Sequence, residues 1–128
     1  MPLIKTTTQV ISVASISPNG RTTATVFVDC TRAVQIAVTA RVTYSLSAEL
    51  PPAILEIYTS WDGTSNSLDS QPLYQEALPV QFGSGVDVTQ MTRDVPASPN
   101  YVVVKVFNPS PSVAVGGVDV YVTVQSAT

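Results

Sequence analysis

The sequence predicts an all-β fold, a single antiparallel β-sandwich of Ig-like or jelly-roll type with about eight strands. Three observations predict it. Apolar residues recur with a period of two in almost every apolar stretch, which is the spacing of half-buried strands. Thr, Val, Ser and Pro are abundant, and they favour strands and turns over helices. Pro and Gly punctuate the chain at short intervals, at Pro51-Pro52, Pro79, Gly83 to Gly85, Pro96 to Pro99, Pro109 to Pro111 and Gly116-Gly117. At 128 residues the chain is one ordinary domain, 1–128, long enough to hold a core without staples.

The elements follow in order. The first stretch, 1–9, is Thr-rich and precedes the first clear strand pattern, so it is expected to be an extended N-terminal arm carrying Leu3 and Ile4. "QVISVASIS" and "TTATVFVDC" flank Ser17-Pro18-Asn19-Gly20. Asn-Gly supplies the positive φ of a tight turn, so the two stretches are expected to form a hairpin. Ala33 to Leu46 alternates most clearly: Val34, Ile36, Val38, Ala40, Val42, Tyr44 and Leu46 share a core face. "AILEIYTS" at Ala53 to Ser60 is the next strand, with Glu56 expected to point to solvent between apolar neighbours. "LYQEALPV" and "VDVTQMT" are weaker strands, and "YVVVKVFN" at Tyr101 to Asn108 is a stronger one. The C-terminal "VDVYVTVQ" turns Val118, Val120, Val122 and Val124 inward.

Charge excludes several partners. The net charge is −3 and the six basic residues are spread singly. Nucleic-acid binding needs clustered Lys and Arg to neutralise phosphates, and an anionic membrane surface needs the same, so neither partner is expected. Charged residues make up only 12%, about half the share of an ordinary domain. The outward faces are therefore carpeted with Thr, Gln and Ser. Interface cores are depleted in charge, so this surface points to a homo-oligomer or an assembly contact. Cys30, the single cysteine, reads as a buried small hydrophobe. The N-terminal "MPLIKTTTQV" has no apolar leader core, and no run approaches the ~18 apolar residues of a membrane span. The expectation is a chain made in the cytoplasm that stays soluble unless it joins a larger particle.

No reaction is expected. With no His, acid–base work would fall to carboxylates, and nothing in the spacing pairs Glu49, Glu56 or Glu76. "GSG" lacks the Lys and helix of a phosphate loop, and no zinc-ligand spacing occurs. The loop in "IYTSWDGTSNSLDSQPL" is the remaining candidate. Asp62, Asn66 and Asp69 offer oxygens, but without the alternating acidic spacing and terminal Glu of a calcium loop. A polar turn is the simpler reading, with neither metal nor cofactor. As a sugar platform the stretch would use Trp61, Tyr58 and Tyr74, with Tyr58 turned to solvent. A lone Trp more often folds back over the sandwich end, and that is the expectation for Trp61.

"LEIYTSWDGTSNS" followed by "PLYQEA", and upstream "VFVDCTRAVQIAVTARVT", resemble a segment of small virion proteins of tailed bacteriophages. There an apolar strand ends in a Ser-x-Asp-Gly turn followed by an aromatic-bearing return strand. An Asp-Cys-Thr-like corner leads into a long alternating strand. The resemblance runs from Val26 to about Ala77. Discoidin-like sugar-binding domains share the turn, but this chain lacks their paired cysteines and basic and aromatic loop residues. The resemblance implies a capsid decoration (cement) protein on the virion surface, a trimer that clamps neighbouring major capsid proteins through sheet edges, loops and a terminal arm. On that reading Trp61 is an anchor candidate. Head-fibre, tail and connector subunits share these features. The alternative is a non-catalytic carbohydrate-binding module.

Overall fold

The computed structural model describes residues 3–23, 26–44, 51–64, 67–79, 87–97 and 99–127. Eight strands follow one another: β1 (Leu3–Val13), β2 (Val28–Asp29), β3 (Ala33–Tyr44), β4 (Ala53–Ser60), β5 (Tyr74–Leu78), β6 (Asp87–Val95), β7 (Tyr101–Phe107) and β8 (Val118–Ala127). They form two four-stranded sheets, ordered β1-β8-β3-β6 and β2-β7-β4-β5. Every pairing is antiparallel. The partners are nested, first with eighth, second with seventh, third with sixth and fourth with fifth. This is a hairpin of the whole chain rolled into two layers, so of the two expected sandwich types the chain adopts the jelly roll.

The core fills the space between the sheets. Ile36, Val38, Ala40, Val42 and Tyr44 of β3 and Val118, Val120 and Val122 of β8 face Leu55 and Ile57 of β4 and Val102, Val104 and Val106 of β7. Each fully buried Val, Leu or Ile side chain stabilises the fold by about 1.5–3 kcal/mol before the entropy of ordering is subtracted. The Tyr44 hydroxyl bridges the layers: it donates to the Leu78 carbonyl at 2.5 Å and accepts from the Ala53 amide at 2.9 Å.

Three local expectations change. Val34 is exposed, because a bulge between Ala33 and Gln35 resets the register against β8 and puts the alternation in phase only from Ile36. Leu46 and the 83–85 turn lie outside the described residues. The Asn19-Gly20 turn exists, with Asn19 at φ 57° and Gly20 N–H donating to the Ser17 carbonyl at 2.8 Å. It joins no hairpin, however. The chain after β1 crosses to the other sheet, held by single bridges from Ile16 to Val115 and from Arg21 to Phe107. Finally, the expected arm is a strand from Leu3 onward, in register with β8 from Leu3↔Ala127 to Val13↔Val118.

The two seams of the sandwich differ. Between β5 and β6 the Arg93 guanidinium donates to Glu76 at 2.9 Å and lies 4.0 Å from the Tyr74 ring centroid. Between β1 and β2 a groove of about 300 Å³ remains, lined by Thr6, Thr8, Val26, Phe27, Val28 and Val124 among others.

Candidate interaction site

β4 ends at Ser60, and the chain makes an excursion before returning alongside the same strand. The return is fixed by a bridge from Ser60 to Leu68 and by amide hydrogen bonds from Asp69 to the Thr59 carbonyl (3.0 Å) and from Leu73 to the Ile57 carbonyl (2.7 Å). Asp62 organises the tip. Its Oδ1 accepts from the Thr64 amide at 3.0 Å, from the Thr64 hydroxyl at 2.8 Å and from the Ser67 hydroxyl. These donors, Ser67 first, hold the Asp62 carboxyl below the usual Asp range. Ser60 Oγ accepts from the Gly63 amide at 3.1 Å and shares a 2.6 Å hydrogen bond with Ser67 Oγ. Asp69 accepts from Thr59 Oγ1 at 2.6 Å. Asp62 is thus engaged by two hydroxyls and an amide of the loop, and Asp69 by a hydroxyl of β4. Asn66 lies outside the described residues.

The tip rests on residues that the sequence pattern did not single out. Gly63 sits at φ +79° against the Tyr101 ring, and a Cβ there would lie 3.0 Å from two ring carbons. Asn100 Nδ2 donates to the Trp61 carbonyl at 3.1 Å. The Asp-Gly pair signals the positive φ, but nothing local says that Asn100 and Tyr101, some 40 residues on, supply the seat (|i−j| = 39 for the Asn100 bond).

On this seat Trp61 stands with 71% of its surface exposed. The expected lid over the sandwich end is therefore corrected: the backbone is clamped and the indole is displayed. Tyr58 is corrected in the opposite sense. It is only 7% exposed, with Lys105 Nζ 4.6 Å from its ring centroid and its hydroxyl donating to Glu56 at 3.2 Å. Tyr74 is half-buried under Arg93, so one ring face is already occupied. The three aromatics do not form one platform. Leu3 and Ile4 are exposed at the far end of β1, at 51% and 53%.

Glu56 is the third correction. Its direction is outward, as alternation requires, yet it is buried. Arg21, from the crossover after β1, folds over it with hydrogen bonds of 2.7 and 3.1 Å, and Gln75 donates at 3.4 Å. Arg21 also lies 4.4 Å from the Phe107 ring centroid. The Glu56 hydrogen bond holds the guanidinium pKa above its ordinary value. Burial, with Glu56 beside it, pushes the Tyr58 phenol up. A carboxylate sealed by a bidentate Arg braces the crossover onto the sheet. Cys30 is buried as expected, and burial pushes its thiol up to about 11. Among the described residues no group of three or more acidic, His or Cys side chains converges as a metal site.

No protein-family model matches the chain, and no curated protein matches it. Solved structures are similar to it. The SPBc2 prophage-derived protein YomS aligns over 98% of this chain and 96% of its own, with 16% identity and a TM-score of 0.51. The disulfide-linked pili of Bacillus endospore appendages align over 98% of this chain and 89% of theirs, with 10% identity and a TM-score of 0.53. PRD1 vertex protein P5 aligns over 98% of this chain and 73% of its own, with 10% identity and a TM-score of 0.50. At these identities the likeness shows the eight-stranded sandwich fold alone.

Proposed function

We propose that the chain is a structural protein of a virion and acts by binding, with no chemistry of its own. Within that class we assign it as a decoration (cement) protein on the outside of a phage head, a trimer that stabilises contacts between major capsid proteins. The observation that carries the reading is Trp61. A large apolar side chain is held in water on a loop whose backbone is fixed by Asp62, Ser60, Gly63 and Asn100. Such a side chain loses little freedom on docking, and Trp is among the residues enriched at binding hot spots. The similarity to a prophage-derived protein and to a vertex protein supports the viral setting. Stabilisation of a shell then follows by mass action, since a ligand of the assembled form alone favours that form.

The test is co-sedimentation of the purified chain with heads of the virus whose genome encodes it. The expected result is saturable binding to heads, a higher temperature of head rupture, and loss of both with Trp61→Ala. Heads that bind neither chain overturn the reading. Exposed Trp61 also favours the carbohydrate-binding alternative, because an indole is a stacking surface for a sugar ring. Titrating a glycan panel against Trp61 fluorescence separates the two: the decoration reading expects no response.

A further inference from the structure

We propose that copies of this chain associate edge to edge and head to tail, with β6 of one copy pairing antiparallel with β1 of the next. The two strands are the opposite edges of one sheet. Along β1-β8-β3-β6 each neighbour is antiparallel, so β1 and β6 run in opposite directions. An identical copy set beside the first therefore continues the alternation without being turned over, and its outward face stays outward.

The side chains fit that arrangement. The outward residues of β6 are Asp94, Thr92 and Gln90, and those of β1 before its bulge at Gln9/Ile11 are Lys5, Thr7 and Gln9; all six are exposed. Placing Asp94 opposite Lys5 of the neighbouring copy sets Thr92 opposite Thr7 and Gln90 opposite Gln9. One ladder thus gives an ion pair, a Thr–Thr pair and a Gln–Gln pair, the first two of them favourable cross-strand combinations. The Thr–Thr pair repeats a device that the chain uses twice within this sheet, between Thr7 and Thr123 at 3.1 Å and between Thr39 and Thr92 at 2.9 Å. On the inner face the same register sets Thr6 of the neighbour opposite Arg93, whose Nε is a buried donor with no acceptor among the described residues.

Edge strands of free monomers are guarded by Lys, Pro or bulges. β1 carries a single Lys across Leu3–Gln9, and here that Lys is the matching charge rather than a guard. A two-fold pairing of β1 with β1 through the Thr6–Thr8 run leaves Lys5 opposite an uncharged residue, so the charges favour β6 as the partner. Such a contact is heterologous. It closes into a ring when the rotation between copies allows and otherwise extends as a filament. This contact does not depend on shell binding, because it needs only the chain itself.

Cysteine pairing tests it directly. Directly opposed residues of an antiparallel pair lie ~4.5–5.5 Å apart at Cα, within disulfide range. Chains carrying Lys5→Cys and chains carrying Asp94→Cys are mixed and oxidised, with buried Cys30 as a silent background. The expected product is a mixed disulfide dimer, with little homodimer from either chain alone. In light scattering, Lys5→Asp weakens association about tenfold, and adding Asp94→Lys restores it. Both positions are exposed, and circular dichroism checks that the variants fold. Dominant homodimers of a Thr7→Cys chain, where Thr7 would oppose itself in the two-fold arrangement, overturn the proposal. So does a wild-type chain that stays monomeric at millimolar concentration.

Discussion

Single residues hold this fold where the sheets alone would not. Removing the Tyr44 hydroxyl with Tyr44→Phe strands the Ala53 amide and the Leu78 carbonyl in the core. A loss of about 1–3 kcal/mol in urea unfolding is expected, with an unchanged m-value. Trp61→Ala is the contrast: it removes exposed surface and should shift stability by no more than about 0.5 kcal/mol while abolishing partner binding. Gly63→Ala tests the seat itself. Its Cβ meets the Tyr101 ring at a positive φ, so the loop must move, and binding should fall although Trp61 is intact. Sequence reading found Trp61, Asp62 and the Asp-Gly turn because their signals are local. It placed the Trp61 and Tyr58 side chains wrongly because their settings are made by residues distant in sequence, Asn100 clamping the Trp61 backbone and Lys105 covering the Tyr58 ring.

At the scale of elements, alternation told which way each strand faces and missed what lies on top of it. Glu56 does point away from the core, but the Arg21 crossover covers it. Glu56→Ala leaves β4 without its brace and Arg21 without its carboxylate; a loss of about 2–3 kcal/mol is expected by thermal or urea unfolding. Glu56→Gln, which keeps the hydrogen-bonding shape, should lose less. Bulges are the second blind spot: one extra residue at Ala33/Gln35 sends Val34 to solvent, and no composition signal marks it. Strand existence was legible for all eight elements. The Asn-Gly turn was legible too, but its consequence was not, because a turn motif fixes a bend and not which sheet the chain enters next. The arm shows what this changes. Residues 3–9 pair along β8, so deleting 1–9 should remove most of an edge strand and lower the melting temperature.

The whole molecule answers pH through the groups that it buries. Cys30 has its pKa raised from 9.0 to about 11, so the folded state keeps the proton that the unfolded state releases first. Its contribution is complete below about pH 9 and is lost as pH rises through about 11. Urea midpoints should fall across that window, and Cys30→Ala should flatten the part due to the thiol. Tyr44 and Tyr58 are raised from 10.0 for the same reason, burial, and add to the loss at the upper end. The sandwich class was legible from composition and period, whereas the choice of jelly roll depended on which strands meet, information spread over the full length. That nesting has a consequence for synthesis. β1 finds its partner in Val118–Ala127, so on a ribosome it waits until more than 100 further residues have emerged. Through that interval one sheet lacks the strand that joins its two halves, since β8 lies between β1 and β3. Closing so long a loop is slow, and this sheet should complete late, in one step once β8 has emerged, rather than segment by segment. A nascent chain stalled before Val118 should therefore be protease-sensitive along its whole length, however much of the core sequence is already outside.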